Sequence, residues 1–174
     1  MINQYSYAQG LGNSYINTKC GLSIQYPSNW KYEEQTDDPV NVINWIVEFE
    51  PDRPDGYNSV IGIELDEISW PAEKSIKGIK DFEEDYIRTG GIGYIESSET
   101  TSVAGYPAQK IIYTEQGRDF TFKKMEIDIL VFDREYKITY YTSGEKFFNK
   151  ELSTLENMIN TLKISDPTFE GIIC

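Results

Sequence analysis

The 174-residue sequence has no histidine, which removes the commonest general base, the Ser-His and Cys-His nucleophile pairs and the commonest zinc, copper and iron ligand. Cysteine is nearly as scarce. Cys20 and Cys174 stand too far apart for a structural zinc site and outside every apolar pattern. Basic residues are in deficit, 16 Lys and Arg against 29 Asp and Glu, and the net charge of -13 repels phosphate backbones and anionic lipid. Nucleic acid is thereby disfavoured as a partner, and cations or basic proteins are the natural ones. No run approaches the ~20 apolar residues of a membrane span; the longest stretch, near residues 127–132, is interrupted by Asp128. Phosphate-cradling glycine motifs are missing too. Gly90-Gly91-Ile92-Gly93 has the wrong spacing and follows a helical pattern, where it reads as a helix stop.

What remains, 39% hydrophobic and 14% aromatic residues over this length, is enough for one sizeable core and therefore one domain. Residues 1–19, rich in Asn, Gln, Ser, Gly and Tyr without an apolar centre, read as a flexible tail or linker. Strands are expected at residues 23–26, from Trp30 onward, and at 43–50 and 60–66, the last two forming a hairpin. Pro71 and the spacing of Ile76, Ile79, Phe82 and Tyr86 predict a helix over residues 72–88, with Asp81, Glu83, Glu84 and Asp85 as its solvated face. Strands at 93–101, 109–115, 120–133 and 135–142 follow as an antiparallel meander. Phe148, Leu152, Leu155, Ile159 and Leu162 then make one apolar stripe along a helix over 145–162, and residues 166–174 read as a C-terminal tail.

These elements in this order carry three short motifs: Gly21-Leu22-Ser23-Ile24-Gln25-Tyr26-Pro27-Ser28-Asn29-Trp30, Ala104-Gly105-Tyr106-Pro107-Ala108, and Glu156-Asn157-Met158-Ile159-Asn160-Thr161-Leu162-Lys163-Ile164. Together they resemble the PsbP-like proteins of the Mog1/PsbP fold over residues 20–165, and a stand-alone microbial member is the nearest match. The resemblance implies an α+β fold: an antiparallel sheet of about six or seven strands flanked by helices as an α/β/α sandwich. It also implies a non-catalytic role and, frequently, an extracytoplasmic or lumenal location. Plant and cyanobacterial members of that family bind photosystem II and Mog1 binds a small GTPase, but no motif here maps residue by residue onto either partner site.

Period-two alternation adds a feature of its own. With Trp45, Val47, Phe49, Ile61, Ile63, Leu65, Met125, Ile127, Ile129 and Val131 on the main core face, the opposite face carries Glu48, Glu50, Glu64, Asp66, Glu126 and Asp128. Ile46, Ile112, Leu130 and Phe132 share that second face, so a helix or loop is expected over its apolar part, leaving an acidic remainder as the partner surface. Trp30 and Trp45 read as core; Trp70, between Ser69 and Pro71, is the tryptophan placed for binding. The resulting reading is a non-enzymatic extracytoplasmic module that binds a protein or membrane-complex partner and needs no cofactor. The alternatives are a small-ligand or Ca2+ binder and a carboxylate-dependent enzyme using Glu48 and Glu50. Asp52, Asp55 and Asn58 offer oxygen ligands for Ca2+ in a segment that otherwise reads as a turn and fails the EF-hand pattern. Cys20 and Cys174 are a candidate disulfide in an oxidising compartment and two terminal thiols in cytosol.

Overall fold

The computed structural model describes residues 10–34, 45–52, 59–67, 75–117, 121–131, 134–143 and 145–165. The chain order is β1 (Leu11–Asn17), β2 (Leu22–Pro27), β3 (Trp30–Glu34), β4 (Trp45–Pro51), β5 (Ser59–Glu67), α1 (Ile76–Thr89), β6 (Gly93–Val103), β7 (Tyr106–Gln116), β8 (Thr121–Val131), β9 (Arg134–Ser143), α2 (Glu145–Asn160) and β10 (Lys163–Ile164). Seven strands form one antiparallel sheet in the order β3-β4-β5-β9-β8-β7-β6, and β1-β2-β10 form a smaller antiparallel sheet. The large sheet is thus two meanders, β3-β4-β5 and β6-β7-β8-β9, joined where β5 pairs with β9, and α1 connects them in the chain.

Local chemistry explains the joints. The β6–β7 turn places Ala104 and Gly105 at φ 53° and 86°, the left-handed pair that matches the twist of a two-residue hairpin. Helix α1 begins where the Ser75 hydroxyl accepts a hydrogen bond from the Gly78 N–H at 3.0 Å. It stops at Gly90, whose N–H reaches the Tyr86 carbonyl at 3.0 Å.

One face of the large sheet, α2 and the small sheet enclose the main core. Val47, Phe49, Ile61, Ile63, Met125, Ile127, Ile129, Tyr136, Ile138 and Tyr140 pack there against Phe148, Leu155 and Met158 of α2 and Leu22, Ile24 and Tyr26 of β2. The expected α2 stripe is therefore realised, with Leu152 partly buried beside it. Two hydroxyls tie the layers: Tyr140 Oη donates to Glu151 Oε2 at 3.0 Å, and Tyr136 Oη to the Cys20 carbonyl at 2.7 Å. Helix α1 packs on the other face over β6, β7 and β8, around Ile87, Ile111 and Tyr113.

Four expectations need correction. Residues 11–17 are strand β1, not tail: β2 satisfies their backbone groups, and Tyr15 is the buried anchor, so a strand forms with almost no apolar alternation to announce it. A β-bulge between Trp45 and Val47 turns Trp45 to the second face, opposite Glu64, and Ile46 joins the main core. Ile112 pairs with Met125 and packs on the main core, while its neighbour Ile111 faces α1. Finally, α1 buries Ile79, Glu83 and Ile87, whereas Phe82 and Tyr86 are exposed. Trp30 is core, as expected.

Candidate functional site

Strand register brings the expected carboxylates to one face. Glu48 lies opposite Gly62, Glu64 and Asp128 flank Lys137 from either side, and Glu126 lies opposite Thr139. Cross-strand partners share a face, so the alternation of β4, β5 and β8 assembles these groups as the sequence implies. The face is nevertheless two sites, because α1 crosses one part of it.

Under α1 the acidic face is buried rather than open. Asp128 is 0% exposed and Glu83 comes down from the helix to meet it, so these groups cannot form part of a docking surface. The Lys137 Nζ lies 2.7 Å from Glu83 Oε1, 3.5 Å from Asp128 Oδ1 and 3.9 Å from Glu135 Oε1. These three carboxylates are the one group among the described residues close enough to share a cation, and the Lys137 ammonium is the cation they hold. Beside them Tyr113 Oη donates to Glu126 Oε1 at 2.6 Å. Burial pushes Asp128 well above the usual carboxylate range; Lys137 opposes this, and the nearby Glu135 and Glu83 add to it. Glu126 is raised by burial as well, against the pull of Lys137 and the Tyr113 hydrogen bond. For Lys137 burial works toward deprotonation, but Asp128, Glu83, Glu126 and Glu135 outweigh it and hold the ammonium charged.

Beyond the helix, toward β3 and β4, the acidic face has a different character. Glu33 and Glu50 are exposed, Glu48 is half-buried between them, and Glu33 sits directly opposite Glu48 across the strands. Burial raises the Glu48 carboxyl, and repulsion from Glu50 and Glu33 raises it further. Lys31, opposite Glu50, is turned to Asp52 at 3.1 Å, and no cation among the described residues pairs with Glu33, Glu48 or Glu50. Tyr141 is raised by burial and by the same Glu48 and Glu50 charges. The Trp45 indole lies over Gly62, the cross-strand partner of Glu48, so closely that a Cβ at Gly62 would fall 1.3 Å from Trp45 Cζ3. The patch is therefore a tryptophan and a tyrosine beside three crowded carboxylates.

No family model matches the chain, and no curated protein matches it. Solved structures do. The cyanobacterial PsbP of Synechocystis sp. PCC 6803 is 14% identical over 88% of this chain and 92% of its own, with a TM-score of 0.64. The chain has the PsbP/Mog1-like fold. The Saccharomyces cerevisiae Ran-binding protein Mog1p is 12% identical over 90% of this chain and 97% of its own, TM-score 0.60. LpqN of Mycobacterium tuberculosis, involved in cell envelope biogenesis, is 8% identical over 83% of each chain, TM-score 0.54. The PsbP/Mog1-like core, a seven-stranded antiparallel sheet with helices on both faces, is the expected α+β architecture.

Of the other expected site residues, Asp52 is exposed and ion-paired with Lys31, while Asp55, Asn58, Trp70 and the side chain of Asp66 lie outside the described residues. Cys20 is buried and is not a free thiol; Cys174 lies outside the described residues. Sequence reasoning missed Glu33, Glu83, Tyr113, Glu135 and Lys137 as members of the acidic face. The alternation of Glu135, Lys137 and Thr139 along β9 carried the signal for two of them, but the approach of Glu83 from α1 had none. Among the described residues no helix is long and apolar enough to cross a membrane.

Proposed function

We propose that this PsbP/Mog1-like protein is a non-enzymatic, extracytoplasmic binding module that engages a basic segment of a protein or membrane complex through Glu33, Glu48 and Glu50. The observation that carries this reading is the crowding of three carboxylates on neighbouring strands, with the middle one half-buried and its carboxyl raised. Like charges directly opposite one another destabilise a sheet, and an incoming Lys or Arg relieves the repulsion while a net charge of -13 steers it in. Trp45 and Tyr141 beside the carboxylates suit the apolar stem and the charge of such a residue. The Ran-binding Mog1p among the structural neighbours makes a protein partner reasonable, and the cell-envelope LpqN and the buried, non-free Cys20 favour an extracytoplasmic setting. Pull-down from native membranes with the wild type and with a Glu33→Gln/Glu48→Gln/Glu50→Gln variant tests it. The partner should be captured at low ionic strength and lost both in high salt and with the variant. Equal retention by the variant refutes the assignment of the patch.

A further inference from the structure

Among the described residues, helix α1 buries two apolar side chains, Ile79 and Ile87, and Ile87 packs on Ile111 and Tyr113 of the sheet, with Ile92 and Ile95 partly buried at the margin. Its remaining inward residue is a carboxylate, Glu83, placed on Lys137. Elements with so little buried apolar surface open at lower free energy than the rest of a fold. What the charged group does therefore decides how firmly the helix sits.

That group has more acceptors than donors. Asp128 is fully buried with no hydrogen-bond donor to either carboxylate oxygen, and Gln109, directly opposite it on β7, has its Oε1 buried without a donor as well. The Gln109 amide nitrogen is committed to Ser98 Oγ at 2.7 Å. Facing Lys137 are Glu83 from α1, Glu126 and Asp128 from β8, Glu135 from β9 and its cross-strand neighbour Glu64 from β5. Lys124 of β8 is bonded to Glu115 of β7, and Tyr113 of β7 donates to Glu126. The adjacent Glu84 of α1 is held by Arg88 and Lys80, and β6 sets only Thr100 and Ser98 opposite Gln109 and Ile111. A single proton on the Asp128–Glu135 pair supplies the donor that Asp128 lacks and removes one negative charge beside Lys137 at once.

We propose that Glu83, Asp128, Glu135 and Lys137 form a proton-dependent latch that seats α1 on the sheet while the carboxylates share a proton and loosens it when that proton is lost. The burial-driven rise of Asp128 agrees in direction. A group held above its ordinary pKa in the folded state contributes stability below that ordinary value and loses it as pH rises through the folded value, so the latch opens toward alkaline pH.

Hydrogen exchange read by mass spectrometry on the full chain tests this. Protection of residues 76–89, corrected for intrinsic exchange, is compared with that of residues 121–143 between about pH 5.5 and about pH 8.5. The wild-type ratio should fall about tenfold or more across that range, whereas Asp128→Asn, whose amide keeps its donors at every pH, should hold it within about twofold. Glu135→Gln provides the same comparison if Asp128→Asn does not fold. A wild-type ratio that does not move, or an equal fall in the folded variant, overturns the latch.

Discussion

Replacing Lys137 by Met keeps an unbranched apolar stem and deletes the ammonium that Glu83, Asp128 and Glu135 surround. At 2.7 Å the attraction between Lys137 and Glu83 is roughly 6 kcal/mol in an effective dielectric of about 20, before the cost of removing both ions from water. Most of that is consumed by desolvation, and removing one partner of a buried pair typically costs about 3–5 kcal/mol because the other charge is left unmatched. We expect Lys137→Met to lose about that much in urea unfolding at neutral pH, a large share of the roughly 5–15 kcal/mol that domains possess. Two internal controls separate charge from packing. Adding Glu83→Gln should recover part of the loss, since it deletes a carboxylate that the first substitution stranded. The deficit should also shrink as pH is lowered, because carboxyls with raised folded pKa values regain protons before free ones do, and grow as pH rises. A loss below about 1 kcal/mol, or one that does not change with pH, would refute the electrostatic account.

Leu155→Ala, at a fully buried position of the α2 stripe, should cost about 2–5 kcal/mol in the same assay, and a loss under about 1 kcal/mol would mean that the helix is not seated as described. Glu48→Gln should modestly stabilise the protein at neutral pH by removing repulsion from Glu50 and Glu33. That gain should vanish below the ordinary glutamate value of 4.5, where Glu48 is neutral in both states; an equal effect at all pH values would point to packing instead. Non-reducing mass spectrometry of protein from an oxidising compartment should find Cys20 joined to Cys174, a link worth at most ~5 kcal/mol through chain entropy, and two alkylatable thiols on a folded monomer would rule the bridge out.

Where local pattern and tertiary environment agree, the residues alone determine the structure. Met125, Ile127 and Ile129 alternate with Glu126 and Asp128 because β8 sits between β7 and β9 with distinct environments on its two faces, and the Phe148 to Leu162 spacing places α2 because a single apolar stripe has one favourable seat. The motif order that suggests the PsbP/Mog1-like architecture works through the same turns and strands. Tertiary structure decided the rest. A bulge carries no reliable compositional mark, so only pairing with β5 reveals that Trp45 crosses to the acidic face, where Gly62 makes room for it. Strand β1 exists because β2 supplies its hydrogen bonds, not because residues 11–17 favour extension. The acidic face, continuous in sequence pattern, is divided because a glutamate in a charged run of α1 turns inward onto a lysine 54 residues away; helix periodicity specifies which residues share a side, but only packing specifies which side meets the sheet.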